Sequence, residues 1–423
     1  MKKVVVLFMV GILLVSLGSC KKDSGSGSTG TLSTETIDIP NGKYRLAAFL
    51  PMTGNFMQYG IMLSNGMKLA VDHWNEANGG INGHPVEIEI FDDKNEQTEC
   101  VNIAELITSK KDRYIAAMGS FASGTAMAAT PIYEREKLLM FSPTGSHPDF
   151  YKQGEYIFAI AMTSKYEQLL YAKVFFDLFK AKNFGVITPQ SDSWTVVQKV
   201  YDAYAKRSNA NFYWELFVQG NTQDYTPVIS RLFNGHNIDV VFISADYITN
   251  ASIMLQMDQL GLMKDGLIVV TGGQSAVQEF LPIVKNVGNG TYVGSSAPVY
   301  YPSIMESFNP TPTLARFVKD FSEKYNLMAD SFGGQGYDTV MAILNCVKKY
   351  KTTDSEILKQ HVGELVGLEE PTSGAFLRYN AKKQMVKPLY IYHIENNLFR
   401  ANDPFYVTLS PEEEALAGEL AGY

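Results

Sequence analysis

The stretch Met118–Ser146, MGSFASGTAMAATPIYEREKLLMFSPTGS, decides how this chain is read. The run YIAAMGS ending at Ser120 has strand character and passes into Ala122, Ser123, Gly124 and Thr125, after which AMAATPIYERE is amphipathic. That order predicts a strand, a tight turn and a helix start. The first turn of a helix leaves backbone N–H groups without internal partners at the positive end of the dipole, so it suits a carboxylate or another anion. A second short strand, LLMFSP, ends in a second small polar turn, Thr144, Gly145 and Ser146. Parallel strands set their carboxyl ends side by side, where ligands bind, so the two turns are expected to share one crevice. Taken singly, either turn reads equally well as ordinary helix capping.

The remaining text repeats this pattern. YRLAAFLP is a strand, GIMLSNGMKLAVDHWNEANGG a helix stopping at Gly79-Gly80, VEIEIFDD a strand and EQTECVNIAELITSK a helix. The alternation restarts after YIFAIAMTS, from the helix EQLLYAKVFFDLFK through the strands FGVITPQ, FYWELFVQG, VVFISADY and LIVVTGGQ with helices between them. Two α/β domains follow, each a parallel sheet with helices on both faces, with the break near residues 160–166 and the ligand between them. The C-terminal helices and strand segments, through YIYHIENNLF, are too few for a third domain and are expected to return to the first two.

The chain has 423 residues, 46% hydrophobic and 19% charged, enough for two cores, and a net charge of −8 without a basic block argues against nucleic acid. Lys2 and Lys3, the apolar Val4–Val15 and Leu17-Gly18-Ser19-Cys20 make a signal segment shorter than the about 20 residues of a membrane span. LGSC resembles the lipobox of bacterial lipoproteins, which implies cleavage before Cys20 and a lipid anchor on it; the plain alternative is an ordinary secretory signal. Residues 21–38, rich in Gly, Ser and Thr, read as a flexible tether, and the folded part is expected from near Ile39. Cys100 and Cys346 are taken as two buried thiols.

Catalytic signatures are missing. G-x-S-x-G, H-E-x-x-H and C-x-x-C do not occur, and His73, His84, His147, His236, His361 and His393 lack ligand spacing. Gly119-SFAS-Gly124-Thr125 has the glycine spacing of a P-loop without its lysine. Asp92 and Asp93 point to opposite faces of a strand and are read as solvated turn acids. No cofactor, metal or enzymatic activity is expected.

FLPMTGNFMQYG, the long segment GMKLAVDHWNEANGGINGHPVEIEIFDD, and IYE and SPTGS within the opening stretch resemble the type I periplasmic binding proteins. Within these the chain is most similar to the branched-chain amino-acid (leucine/isoleucine/valine) binding proteins of ABC importers, over about Tyr44–Phe376. The resemblance implies two doubly wound lobes joined by three crossovers, closing on a small ligand. It sets lobe 1 at residues 39–163 and 297–372, lobe 2 at 164–296 and 373–408, and an acidic tail without assigned role at 409–423.

By the same resemblance Ser123 holds the ligand α-carboxylate, and Thr144 and Ser146 serve its ammonium and carboxylate. Tyr59, Trp194 and Phe332 supply aromatic walls. Two features depart from the family. The acid expected opposite the ammonium falls on Gln274, which cannot neutralise a cation, so either Asp246 supplies the charge or the ligand has no ammonium group. The family's cysteine pair falls on Asn95 and Ala122, so no disulfide steadies the first lobe. The expected function is a lipid-anchored extracytoplasmic binding protein that delivers an amino acid or related molecule to a membrane permease. A ligand-sensing receptor of the same fold and an enzyme on a two-lobed scaffold are the rivals.

Overall fold

The computed structural model describes residues 44–414 apart from 192–193, 219, 221, 299, 301, 306–309 and 381–382. The signal segment, Cys20 and the tether lie outside the described residues.

The first sheet has the order β2-β1-β3-β4-β5, formed by β1 (Arg45–Leu50), β2 (Glu87–Asp92), β3 (Tyr114–Gly119), β4 (Met140–Ser142) and β5 (Ile157–Ala159), all parallel. Its connecting helices are α1 (Met57–Asn78), α2 (Gln97–Thr108) and α3 (Ser123–Glu136). Strand β1 shows why both faces are covered: Leu46, Ala48 and Leu50 join the core with α1, while Ala47 and Phe49 pack with Ile103 and Ala104 of α2 and Ala129 of α3. A strand apolar on both sides needs a helix layer on each.

The chain then crosses to a second sheet through α4 (Ser164–Ala172). Here β6 (Asn183–Pro189), β7 (Asn211–Phe217), β8 (Val240–Ile243), β9 (Ile268–Thr271) and β10 (Tyr292–Ser295) are parallel, linked by α5 (Trp194–Arg207), α6 (Thr226–Phe233), α7 (Tyr247–Gln259) and a short α8 (Leu281–Val284). After the short α9 (Pro302–Met305), the chain returns to the first sheet with α10 (Pro312–Tyr325), α11 (Ser331–Tyr350) and α12 (Ser355–His361). It crosses a third time, past the small pair β11 (Arg378–Tyr379) and β12 (Met385–Val386), and adds β13 (Leu389–Glu395) antiparallel to β10 and β14 (Leu398–Val407) antiparallel to β13. The second sheet thus reads β14-β13-β10-β9-β8-β6-β7.

α11 packs on α1 at backbone distance. A Cβ on Gly66 would sit 1.9 Å from the Gly333 carbonyl oxygen, and one on Gly336 would sit 2.4 Å from that of Leu63. Only glycine fits either place. The first and third crossovers touch where Met162 bridges Met385 and the Tyr379 hydroxyl donates to the Ala159 carbonyl at 2.7 Å. Asp338, fully buried in α11, accepts from the backbone of Thr372 and Ser373 at 2.9 and 2.7 Å and so fixes the chain leading into the third crossover.

One local expectation is corrected. Asp93 is fully buried, its carboxylate capping the turn at the Asn95 N–H, while Asp92 accepts from Met52, Thr53 and Lys94. GTYVGSS contains a sheet strand, β10, and SAVQEFLPIV forms 3-10 turns and the short α8. The described start of the acidic tail is pinned, because Glu413 pairs with Lys173 at 2.7 Å and Glu414 pairs with Arg378. Cys100 and Cys346 are free and buried.

Candidate functional site

β3 and β4 lie side by side with Met118 opposite Phe141, so the turns that follow them open at the same end of the sheet. Helix α3 begins at Ser123 behind an extended Ala122, whose side chain cannot cap it. Its first N–H groups therefore keep their capacity to donate. The Ser123 Oγ accepts from the N–H of Ser146 at 3.0 Å and of His147 at 3.2 Å. A hydroxyl has two lone pairs and one proton, so Ser123 has only its O–H left to give, and that fits an oxygen acceptor. Thr144 Oγ1 donates within the protein, shared between the carbonyls of Ser120 at 3.1 Å and Phe121 at 2.7 Å, and so ties the two turns together.

These turns line a cavity of about 210 Å³. Phe121, Ala122, Ser123, Thr144 and Ser146 form one side, Glu167 of α4 and Gln274 beyond β9 the other, and Phe332 and Gln335 of α11 contribute a third wall. Ser295 and Ser296, at the end of β10, add further hydroxyls. Five predicted residues, Ser123, Thr144, Ser146, Gln274 and Phe332, are thus brought together.

The other three are not in this cavity. Tyr59 stands one layer behind it, stacked on Phe121 with ring centroids 4.3 Å apart and edge-on to Phe332 at 5.0 Å. Burial, with the charge of Asp246 adding to it, pushes the Tyr59 hydroxyl above the usual phenol range. Asp246 is the N-cap of α7: Oδ1 accepts from the N–H groups of Ile248 and Thr249 at 3.1 and 3.0 Å, and Oδ2 accepts from Thr249 Oγ1 at 2.6 Å. Both oxygens take part in the cap, and Asp246 does not line this cavity. Trp194 lines a second cavity of about 280 Å³ that shares Ser146, Glu167 and Gln274 with the first.

The residue that sequence reasoning missed is Glu167. It sits in the first turn of α4, where an acid is already favoured by the helix dipole, so nothing in TSKYEQ marks it out. It is half-buried, and among the described residues its carboxylate makes no hydrogen bond or ion pair. Burial pushes it up to about 7 against the opposing pull of Lys387. Lys387 is itself buried, its Nζ has no hydrogen-bond partner among the described residues, and burial lowers it to about 8. Phe121 was also missed, although it lies inside the GSFAS turn. Among the described residues no group of three or more His, Cys, Asp and Glu is placed to hold a metal ion, and no helix is long and apolar enough to cross a membrane.

Comparison with known proteins gives this arrangement a family. The profile described as periplasmic binding protein matches residues 43–398. A leucine-specific-binding protein of Salmonella typhimurium is 26% identical over 212 residues, half of this chain and 56% of that protein, so the chain spans little more than half the length of that curated relative. The leucine-binding protein LivK of Thermotoga maritima superposes with a TM-score of 0.73 at 21% identity, covering 87% of this chain and 99% of that one. LivJ of Streptococcus pneumoniae, solved with isoleucine, gives a TM-score of 0.71 at 21% identity, covering 85% and 98%. These relatives are binding proteins and not enzymes, and the fold they share is the α/β arrangement described above. The chain belongs to the periplasmic binding protein family.

Proposed function

We propose that this protein is the lipid-anchored, extracytoplasmic solute-binding protein of an ABC importer and that it captures a free α-amino acid, branched-chain or related. One observation carries the reading: a small cavity has the donor-only Ser123 hydroxyl and the open end of α3 on one side and the unpaired Glu167 carboxylate on the other. A donor pole facing an acid pole complements a zwitterion. Thr144 fixes the two turns, Ser146 and Gln274 line the passage beside Glu167, and Phe121 and Phe332 exclude water from the ligand's apolar part. The names of the relatives support an amino-acid ligand.

In this reading residues 39–163 with 297–372 form lobe 1 and 164–296 with 373–408 form lobe 2. The ligand docks on the Ser123 turn, and closure brings Glu167 to its ammonium group, shifting the population toward a closed form that the membrane permease recognises. Cys20 carries the lipid. A Cys20→Ala variant that stays in the membrane fraction would contradict the anchor.

A second reading rests on the raised Glu167. A neutral carboxylic acid beside the neutral Gln274 can donate to an amide or a carboxylate that lacks an ammonium group. Thermal unfolding against amino acids, their amides and their des-amino carboxylates separates the two. At a hundredfold excess over Kd a true ligand raises the midpoint by roughly 5 °C. Amino acids alone should do so, and Glu167→Gln should remove the effect; a shift by ammonium-free compounds alone would transfer the function to the second reading.

A further inference from the structure

The second cavity is not needed to hold a short amino acid, yet it adjoins the first through Ser146, Glu167 and Gln274. Its remaining walls all belong to the second sheet and its helices: Gln168 of α4, Thr188 and Gln190 at the end of β6, and Trp194, Val197 and Tyr201 of α5. At about 210 and 280 Å³ each cavity alone falls below the roughly 300 Å³ at which small-molecule pockets begin, and joined they exceed it.

Its chemistry is that of a pocket for an amphipathic substituent. Val197 and the Trp194 ring are apolar walls, and the Tyr201 hydroxyl bonds Gln168 Oε1, which fixes that side. Trp194 is only 8% exposed, and its indole Nε1–H is buried without an acceptor among the described residues.

We infer that the second cavity is a subsite for the ligand's side chain, and that the preferred ligand is an α-amino acid with a long amphipathic side chain. Its carboxylate lies at the Ser123 turn, its ammonium at Glu167, and its side chain passes between Ser146 and Gln274 into the second cavity. This rests on the amino-acid reading above and narrows it: a branched aliphatic side chain would end within the first cavity.

The test is a calorimetric series on the mature chain with L-alanine, L-leucine, L-glutamine, L-citrulline and Nε-acetyl-L-lysine. Affinity should rise by at least tenfold from alanine to the best of the long, carbonyl-bearing members. Val197→Phe, which fills the cavity, should act on long ligands alone, and its alanine affinity reports whether the variant is folded. Trp194 emission gives an independent readout: it should shift with a long ligand and not with alanine. Alanine or leucine binding as tightly as every longer member, with no change in emission, would overturn the subsite and leave the amino-acid reading standing. Failure of the whole series beside binding of des-amino carboxylates would overturn both.

Discussion

Gln58 in α1 donates its side-chain N–H to Glu279 Oε1 at 2.9 Å, joining the first helix of the first sheet to the turn beyond β9 of the second. Tyr59 and Tyr247 meet edge-on beside this contact, with ring centroids 6.3 Å apart. In the proposed hinge closure these contacts span the cleft that opening would widen. A hydrogen bond to a charged group contributes about 1.5–3 kcal/mol, so Glu279→Ala should weaken ligand affinity about tenfold or more by disfavouring the closed form. The unfolding midpoint of the ligand-free protein should hardly change. Calorimetry and a thermal scan decide it; unchanged affinity would mean that this bond does not belong to the binding-competent form.

Ser123→Ala removes the O–H aimed at the ligand and also the acceptor for two backbone N–H groups. Affinity should fall at least tenfold, and stability should fall by about 1–2 kcal/mol as the Ser146 and His147 amides lose their partner. Ser123→Cys, which keeps a weak acceptor, should recover part of the stability and little of the affinity. Urea unfolding and titration on the same samples separate the two losses.

The raised Glu167 makes both stability and binding depend on pH. In the ligand-free fold it titrates near 7, above the usual glutamate value of 4.5, so the folded form holds an extra proton between those limits. Stability from this group is full below the lower limit and is lost as pH rises toward 7. Glu167→Gln should therefore stabilise the empty protein at pH 8, by about 1–3 kcal/mol, while abolishing amino-acid binding. Lys387 moderates the effect while it stays charged, up to about 8. An ammonium ligand stabilises the carboxylate, so binding near pH 7 should release a proton, and affinity should improve from pH 6 to pH 8. Calorimetry in buffers of different ionisation enthalpy measures that proton directly.

Gly66→Ala tests the packing that carries the first sheet. The added Cβ would lie 1.9 Å from the Gly333 carbonyl oxygen, so α1 and α11 must separate. A loss of about 3 kcal/mol or more is expected, seen as a lowered urea midpoint.

The alternation of strand and helix was legible because the inner strands β1, β3 and β8 are apolar, the edge strand β2 alternates, and helices such as α5 and α6 are amphipathic, and the Ser123 and Thr144 turns were legible because small polar residues follow those strands directly. Strand β10 was hidden because GTYVGSS is short and glycine-flanked and gains its character only from its neighbours β9 and β13. Asp246 caps α7, and an acid after a strand suits an N-cap as well as a ligand, so the sequence alone does not separate the two roles. Glu167 escaped because its role depends on a helix from the second half of the fold meeting turns from the first, which no periodicity within TSKYEQ records.

The most direct measurement is a calorimetric titration at pH 8 of the tightest-binding amino acid and of the same molecule without its amino group, into the wild-type protein and Glu167→Gln. The amino acid should bind the wild-type protein alone, and the des-amino compound should bind neither form appreciably. Equal binding of both compounds, or an amino acid that binds Glu167→Gln as well as the wild-type protein, would contradict the capture of a zwitterion between Ser123 and Glu167.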